Sequence, residues 1–462
     1  MRIVIVGDGK VGSALSEELS LEGHDVVVID SNKAVLREAL EELDVMVVHG
    51  NGAAMGVQKA ADVGESDLLI AATSADEINL LCCIVARKLG CPNTIARVRN
   101  PDYTKQLFEL KEELGLSMAV NPEFAAASEV FQLLQFPSFL QRDSFSKGRV
   151  EIVELELKEG SKLIEKKLSE LYKIAKVQVL VCAVERQGVM HIPDGNFMLH
   201  KNDTVSFVAS TKDLAQLIRN LGLVHRKVRD VMIVGGSRTA FYLAHALIET
   251  GAGVKLIEIK EDRCLELADA LPKAVVVNAD GTDKHVLDAE GIEHTDAVVT
   301  LTGMDEENLI VSMYAEYKGV PKVVTKMNRT EYYEVFRDKG IDSVVSPKEI
   351  CTDEIVRYVR AMQVTEDNSV ITLRSIGNGA VEALEFKATR NTFCLGMTLM
   401  EVQLKPHILI ACITKGDKVI IPRGNDRIEE GDNVIIVTSL EAQIKDLNDI
   451  FAAIPAKREY VK

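Results

Sequence analysis

The turn Gly7-Asp8-Gly9-Lys10-Val11-Gly12 constrains the fold more than any other stretch, because it separates two different apolar patterns. The run Ile3-Val4-Ile5-Val6 before it is typical of a buried strand, and Leu15 and Leu19 after it have helical spacing. In such a unit the first glycine makes a tight turn, the second lets backbone approach a pyrophosphate, and the third lets the helix pack on the strand. The helix N-terminus then faces phosphate charge, so the turn predicts a phosphate site.

An acidic residue follows at the spacing that a nucleotide fold requires. The second apolar run, 25–30, ends in Asp30, 18 residues past Gly12. A carboxylate there can bind both hydroxyls of an adenosine ribose and would repel a 2′-phosphate. Together these features predict a dinucleotide or adenine-nucleotide fold. The alternative is a Rossmann-type domain whose pocket has lost its ligand.

Length, charge and hydropathy limit the class of protein. The chain has 462 residues, 47% of them hydrophobic, and a net charge of −16. That charge argues against nucleic acid or a bare anionic bilayer as a partner. No apolar run approaches the roughly 20 residues that span a bilayer, and the N-terminus lacks the pattern of a signal peptide. We expect a soluble, cytosolic protein without direct membrane insertion.

The cysteines and histidines give no sign of a metal site. The eight cysteines include no C-x-x-C motif, and Cys82, Cys83, Cys182 and Cys412 lie within apolar runs. Buried, reduced thiols are the expected state. The nine histidines are dispersed, so we expect no structural metal.

Residues 1 to about 121 alternate between strand and helix patterns. The apolar runs are pure, as in strands covered on both faces, so we predict a parallel, doubly wound sheet. The predicted strands are 3–6, 25–30, 45–48, 68–72, 94–98 and 117–120, and the predicted helices are 12–22, 33–43, 53–61, 77–89, 102–114 and 122–136.

A different pattern follows. Residues 140–149 are polar and are predicted to form a linker. The predicted elements of the next segment are strands 151–157, 177–185, 188–192 and 204–209 and helices 161–172 and 211–221. They indicate a small α+β domain of about 75 residues with antiparallel strands.

The whole arrangement then repeats. Gly235 lies 228 residues after Gly7, Glu258 lies 228 after Asp30, and the spacing is 229 farther along. The expected fold is therefore α/β, a duplicated unit of a Rossmann-like doubly wound parallel sheet followed by a small α+β domain. The predicted boundaries are 1–140, 141–225, 226–366 and 367–462.

This arrangement resembles the Trk-type potassium-uptake regulatory subunits, whose repeating unit is the RCK domain with its TrkA-N and TrkA-C parts. The resemblance covers essentially the whole chain. It rests on the glycine turn, Asp30, the Gly50-Asn51-Gly52 turn, Thr73, the Asp76-Glu77-x-Asn79 helix start and the duplication. It implies a homotetramer at the cytoplasmic face of the membrane. The ring would bind NAD(H) and/or ATP/ADP and would gate a membrane-embedded potassium-translocating subunit.

The resemblance also implies which residues line the first nucleotide site. The phosphates would meet the glycine turn, and the ribose would meet Asp30. Asn51 and Gly52 would lie beside the adenosine half, with Thr73, Ser74 and Arg97 at the mouth of the sheet. Simpler roles stay open: a helix cap for Thr73 and Ser74, a surface ion pair for Arg97, and, as the preferred reading, a plain turn for Gly52 and its counterpart Gly281.

The second copy departs from the glycine pattern. Its turn is Gly235-Gly236-Ser237-Arg238-Thr239-Ala240, with Ser237 at the middle glycine position. If that position needs positive φ, a non-glycine residue costs about 1–2 kcal/mol. Arg238 could offset this by pairing with a phosphate, Glu258 keeps the ribose carboxylate, and Lys326 replaces Arg97. We predict that the second site binds the same ligand more weakly or not at all.

Three functions compete: a nucleotide-sensing regulatory subunit, an NAD-dependent oxidoreductase, and a structural ring with vestigial pockets. Each Rossmann-like unit is followed by a domain too small for a usual substrate pocket. No Tyr-x-x-x-Lys motif in a large domain is expected near a nucleotide mouth. These observations favour the regulatory subunit and argue against an enzyme. Helices 77–89 and 122–136 are candidates for subunit contacts, with ordinary core as the alternative.

Overall fold

The computed structural model describes residues 1–101, 103, 106, 110, 113–135, 140, 142–222, 228–329, 341, 343–363, 370–376, 381–439, 444 and 446–452. The chain divides into two compact units. Residues 1–134 and 228–358 make the first unit, and residues 135–227 and 359–462 make the second. Each unit therefore combines corresponding parts of the two sequence copies.

The first large domain is a six-stranded parallel sheet flanked by helices, in the order β3-β2-β1-β4-β5-β6. Its elements are β1 Arg2–Val6, α1 Lys10–Leu21, β2 Asp25–Asp30, α2 Lys33–Glu42, β3 Met46–His49, α3 Met55–Ala60, β4 Leu68–Ala71, α4 Asp76–Leu89, β5 Thr94–Arg97, β6 Met118–Val120 and α5 Pro122–Gln135. The predicted doubly wound sheet is confirmed, with every predicted strand in place. The predicted helix 102–114 lies largely outside the described residues.

The first small domain is a five-stranded antiparallel sheet in the order β10-β9-β11-β8-β7. Its elements are β7 Arg142–Phe145, β8 Val150–Glu156, α6 Leu171–Ala175, β9 Leu180–Arg186, β10 Val189–His191, β11 Thr204–Ser210 and α7 Thr211–Leu221. Its core lies between the sheet and α7, where Leu214, Leu217 and Ile218 are buried against Phe207.

The predicted linker at 140–149 is wrong, because β7 lies within it. Arg142 pairs with Glu151 of β8 through Nε and Nη2, at 2.8 and 2.7 Å. The side chain of Phe145 is 1% exposed. The ion pair with Glu151 and the buried side chain of Phe145 thus hold this polar segment in the sheet as a strand.

The predicted helix at 161–172 is also wrong. The backbone N–H groups of Glu165 and Leu168 donate to the carbonyls of Leu199 and Phe197, at 2.8 and 3.0 Å. Glu165 has φ of +59°, outside the helical range. Pairing with a distant segment therefore replaces the local bonds of an α-helix, and the stretch is helical only in the 3₁₀ turn Leu168–Glu170 and at the start of α6.

The second large domain repeats the first, with strand order β14-β13-β12-β15-β16-β17. Its elements are β12 Asp230–Val234, α8 Arg238–Glu249, β13 Gly253–Glu258, α9 Glu261–Ala270, β14 Val275–Asn278, α10 Lys284–Ala289, β15 Ala297–Thr300, α11 Asp305–Tyr317, β16 Lys322–Lys326, β17 Val344–Val345 and α12 Pro347–Gln363. The pairs that are described in this sheet are all parallel.

The second small domain has the sheet order β18-β19-β22-β20-β21, which matches the first strand for strand. Its strands are β18 Val370–Ile376, β19 Val381–Lys387, β20 Ile408–Lys415, β21 Lys418–Ile420 and β22 Asn433–Ser439. The two small sheets share one core, in which Phe145, Ile152 and Cys182 meet Cys412 and Ile435.

Helix α5 joins the two large domains within the first unit. Its residues Ala126, Val130 and Leu133 are buried in one core with Ile233 and Leu243 of the second large domain. The helix predicted at 122–136 therefore buries its apolar face inside its own chain. On α4 and α11, by contrast, the matching pairs Leu81 and Ile310, and Ile84 and Met313, are exposed.

The cysteines fit the expectation of buried, reduced thiols. All eight cysteines are buried and free, and burial raises the pKa of the Cys82 thiol to about 12. Among the helices that the structure describes, none is long and apolar enough to cross a bilayer.

Candidate functional site

The candidate site lies where the strand order of the first large domain reverses. Strand β1 pairs in parallel with β2 on one side and with β4 on the other. The loops after these strands diverge to opposite faces of the sheet, which leaves a crevice at their carboxyl ends. The residues predicted for the first site follow β1, β3 and β4 or end β2 and β5, so the fold brings them to one edge.

Two glycines of the turn are required by close contacts. Gly7 has φ of +93°, and a Cβ there would lie 2.9 Å from Thr73 Cα. A Cβ on Gly12 would lie 1.9 Å from the Gly7 carbonyl oxygen. These contacts press the turn against the loop after β4 and against the first turn of α1.

Gly9 serves a different purpose. It is the N-cap of α1 with φ of −76°, and no side chain caps this helix. A Cβ on Gly9 would meet nothing within 4 Å. The N–H groups of Lys10, Val11 and Gly12 have no acceptor within the helix, as in the first turn of any α-helix. These donors and the open space beside them fit a phosphate group.

Asp30 is held in place by backbone donors from two sides. Its Oδ2 accepts from Asp8 N at 2.8 Å and its Oδ1 from Asn32 N at 2.7 Å. A carboxylate oxygen can accept a further bond, so both oxygens retain capacity for the hydroxyls of a ribose. Burial raises the pKa of the nearby Asp8 carboxyl, and the charges of Asp30 and Glu38 add to the shift.

The loop after β3 contributes mainly close backbone packing to the site. Asn51 is exposed, and its Oδ1 accepts from Ala53 N at 3.0 Å. A Cβ on Gly52 would lie 2.1 Å from Val6 Cγ1, and one on Gly281 would lie 2.5 Å from Val234 Cγ1. Neither glycine has a left-handed φ. The preferred reading as plain turns therefore misses why glycine is needed, which is close packing on β1 or β12.

The mouth after β4 is organised by a buried amide. Asn79 Oδ1 accepts from Thr73 N and Thr73 Oγ1 at 2.8 and 2.7 Å, and Asn79 Nδ2 donates to the carbonyl of Arg97 at 2.8 Å. The N-cap of α4 is Ala75, without a side-chain bond. Thr73 and Ser74 are therefore not that helix's cap, and Ser74 stays exposed at the edge.

Arg97 reaches from β5 towards the same loop. Its Nη2 donates to the carbonyl of Thr73 at 2.6 Å. Its Nε is buried and has no hydrogen-bond partner. Burial lowers the pKa of Arg97, with a further contribution from the charge of Arg99. Arg97 is thus not in a surface ion pair, and its unsatisfied N–H suits an anion at the mouth.

Sequence reasoning did not assign site roles to Asp76 and Arg99. Asp76 Oδ2 accepts from the backbone N–H groups of Arg99 and Asn100, both at 2.8 Å. The second copy repeats this arrangement at Asp305, which accepts from Asn328 N and Arg329 N at 2.9 and 3.0 Å. The Asp-Glu-x-Asn stretch occurs in both copies, and this repetition could have indicated from the sequence that its aspartate has a role.

The second copy closes the equivalent turn on itself. Ser237 has φ of −64°, so the proposed cost of positive φ does not arise and that part of the argument is wrong. Its Oγ accepts from Ala240 N at 3.3 Å. Glu258 keeps the role of Asp30, since its oxygens accept from Gly236 N at 2.6 Å and Lys260 N at 2.8 Å.

The cations of the second copy differ from those of the first. Arg238 is exposed, and Arg263 Nε donates to the carbonyl of Gly236 at 2.8 Å. Lys326 Nζ donates to the carbonyl of Thr302 at 2.6 Å, as Arg97 does to Thr73. Burial lowers the pKa of Lys326. Neither contact occupies a backbone donor; the donor lost at the second turn is the N–H of Ala240, which bonds to Ser237 Oγ.

One Tyr-x-x-x-Lys pair does occur in a large domain, at Tyr314 and Lys318. Tyr314 Oη and Lys318 Nζ both bind Asp288, at 2.8 and 2.7 Å to its Oδ1. Tyr314 lies nine residues from the start of α11 at Asp305, which is about 14 Å along the helix. The pair therefore stands at the end of α11 away from the mouth.

Family models match most of the chain. The TrkA-N domain matches residues 3–122 and 231–347. The TrkA-C domain matches residues 152–222 and 384–452. The two domains alternate twice, in the order that the duplication predicted.

Relatives align with the chain over nearly its whole length. Trk system potassium uptake protein TrkA homolog 2 of Methanosarcina mazei is 32% identical over 459 residues, 98% of this chain and 100% of the relative. The TrkA homolog of Archaeoglobus fulgidus is 33% identical over 452 residues, 98% of this chain and 100% of the relative. Trk system potassium uptake protein TrkA of Halomonas elongata is 31% identical over 457 residues, 98% of each chain.

Solved structures share the fold at lower identity. The GsuK RCK domain superimposes with a TM-score of 0.63 at 19% identity, covering 95% of this chain and 92% of that one. The GsuK channel bound to NAD gives 0.62 at 19% identity, covering 95% and 77%. By its domain matches and its full-length relatives, the chain belongs to the TrkA family of Trk-system potassium uptake proteins, built from tandem TrkA-N and TrkA-C domains.

Proposed function

We propose that this protein is the nucleotide-binding regulatory subunit of a Trk-type potassium uptake system. The observation that carries the proposal is the uncapped N-terminus of α1 beside an open Gly9, with Asp30 oriented at the next strand end. The role in potassium uptake is inferred from the family. The duplicated domains are the part of the protein that would change conformation when the nucleotide binds.

The proposed ligand is NAD(H), ATP/ADP or both. The first-turn N–H groups of α1 would hold phosphates, Asp30 the ribose hydroxyls, and Arg97 a further anionic group. Asp30 disfavours a 2′-phosphate by charge, which sets these ligands apart from NADP(H). GsuK structures described as bound to NAD and to ADP share the fold, with TM-scores of 0.62 and 0.51.

We propose no catalytic role. Each large domain is followed by a small antiparallel domain. The Tyr314 and Lys318 pair is engaged with Asp288, and Asp288 raises the pKa of Lys318 to about 12. A dehydrogenase needs its tyrosine and lysine beside the nicotinamide, and nothing in the geometry of this pair favours that reaction. The bound nucleotide would act through its charge and contacts, and no group transfer is required.

Assembly is part of the proposal. We propose a homotetramer that docks beneath a membrane-embedded potassium-translocating subunit at the cytoplasmic face, without inserting into the bilayer. A ligand shifts an equilibrium only by its differential affinity for the two states, typically about 1–3 kcal/mol per site. Swinging a population from 1:99 to 99:1 takes about 5.5 kcal/mol. Four first sites acting together would supply that energy.

The test of the ligand assignment is a calorimetric panel on the full-length protein with NADH, NAD⁺, ATP, ADP and NADPH. We expect at least one unphosphorylated-ribose nucleotide to bind, and NADPH to bind at least tenfold more weakly than NADH. Absence of binding by every nucleotide, or equal affinity for NADPH and NADH, would contradict the assignment.

A further inference from the structure

One tyrosine of the second large domain is bonded to the edge of the first. Tyr242, on α8, accepts a hydrogen bond from Asn121 Nδ2 at 3.0 Å and donates one to the carbonyl of Arg99 at 3.1 Å. Its ring meets Phe124 edge-on, with centroids 5.4 Å apart. Asn121, Phe124 and Arg99 all follow the last two strands of the first sheet. The hydroxyl is therefore committed to the first domain as both donor and acceptor.

Arg99 connects that tyrosine to the mouth of the first site. Its guanidinium donates to the carbonyl of Ser74 and to Asp76 Oδ1, the latter at 3.5 Å, and lies 4.0 Å from Glu123. Its side chain is 20% exposed. Arg99 thus bridges the loop after β4 and the segment after β5, and Tyr242 binds the carbonyl of this same residue.

Among the residues that the structure describes, this tyrosine bond runs from the second large domain to the first. At the spacing of 228 residues that relates the two turns, the counterpart of Tyr242 is Ala14, which has no hydroxyl. The counterpart of Arg99, at the later spacing of 229, is Asn328. The first copy has the uncapped helix N-terminus at Gly9. It is also the copy in which a mouth residue, Arg99, is bonded to a tyrosine of the other copy. Helix α8 itself starts at the turn that Ser237 caps.

We propose that Tyr242 is a positioning residue for the first nucleotide mouth and transmits its occupancy to α8 of the second large domain. The inference rests on the proposed function, since it needs a nucleotide at the first site. A ligand that draws the Ser74 loop inwards would move Arg99, and the carbonyl of Arg99 would pull on Tyr242. The second domain then responds to the first site without binding a nucleotide of its own.

The test is hydrogen–deuterium exchange on the full-length protein, with and without saturating NADH and, separately, ADP. The variants are Tyr242→Phe, which keeps the ring packing, and Tyr314→Phe, a matched control that removes a bonded hydroxyl at the far end of α11. Peptides over 7–15 and 72–80 report occupancy of the first site, and peptides over 238–249 report α8. Calorimetry gives the dissociation constants.

In the wild type and in Tyr314→Phe, nucleotide should slow exchange in the first-site peptides and change exchange in α8. In Tyr242→Phe the first-site protection should persist, the α8 response should disappear, and affinity should change by at most about tenfold, as for one hydrogen bond. An α8 response that survives in Tyr242→Phe, or is equally lost in Tyr314→Phe, overturns the inference alone. A wild type without first-site protection overturns both the inference and the proposed function.

Discussion

The Oγ of Ser237 accepts a hydrogen bond from the backbone N–H of Ala240 at 3.3 Å. At the corresponding position of the first copy, Gly9 leaves the first turn of α1 without a side-chain cap. A serine hydroxyl thus takes one of the donors that a phosphate would otherwise use. The two copies share a fold, and this bond marks the difference between an open and a closed turn.

Changing Gly9 to serine should therefore give the first turn the side-chain cap that Ser237 gives the second. A Cβ at Gly9 has free space, so we expect Gly9→Ser to fold with a melting temperature within about 2 °C of wild type, because Gly and Ser caps differ by only a few tenths of a kcal/mol. The new hydroxyl competes for the helix N–H groups, and nucleotide affinity should fall by about tenfold or more. Calorimetry and thermal unfolding measure the two effects.

Gly12→Ala is the contrasting variant. Its Cβ would lie 1.9 Å from the Gly7 carbonyl oxygen, so the turn must shift at a cost of about 1–3 kcal/mol in stability.

Unchanged nucleotide affinity in Gly9→Ser, measured on folded protein, would show that the serine hydroxyl does not explain the asymmetry between the copies.

The two acids should differ in their effect on nucleotide binding. Asp30→Ala removes charge-assisted hydrogen bonds to the ribose, worth roughly 1.5–3 kcal/mol, and should weaken binding about tenfold to over a hundredfold. Glu258→Ala should change the affinity less than about twofold. Both are measured by calorimetry on the full chain, because α5 of the first copy is buried in the core of the second large domain and isolated halves would expose that core.

The exposed Asp44 serves as the control for charge alone. Asp44→Ala should leave the dissociation constant unchanged. Equal losses in Asp30→Ala and Glu258→Ala would mean that the second site binds as well as the first, and our account of Ser237 would be wrong.

Asp8→Asn should stabilise the protein at neutral pH. Burial raises the pKa of Asp8 above its ordinary value of 3.8. The folded protein therefore holds this proton more tightly than the unfolded chain, and stability falls as pH rises above 3.8. Asparagine removes that penalty, so the melting temperature at pH 7 should rise by about 1–3 °C. Well below pH 3.8, Asp8 is protonated in both the folded and the unfolded wild type, so the gain should vanish there. A gain independent of pH would contradict the mechanism.

The regular parts of the fold could be predicted because local patterns and tertiary packing agree there. Runs such as Val26-Val27-Val28-Ile29 are buried on both faces, and only a parallel sheet covered by helices gives that environment. The glycine turn was equally informative, since the contacts of Gly7 and Gly12 exclude other residues.

Other features depend on contacts between distant segments. β7 forms because Arg142 and Phe145 find partners across the sheet. Residues 161–172 lose their helix to pairing with 197–199. The Tyr242 bond to Arg99 joins residues 143 apart in sequence, and no periodic pattern in either segment encodes it.

The most direct test of the central claim is potassium flux into vesicles that contain a Trk-type membrane subunit, with this protein added under NADH, NAD⁺, ATP, ADP or no nucleotide. We predict that flux depends on the protein and changes with nucleotide, and that Asp30→Ala binds the vesicles as wild type does but loses the nucleotide response. Flux that is indifferent to the protein and to every nucleotide, or a response that Asp30→Ala retains in full, would contradict the account.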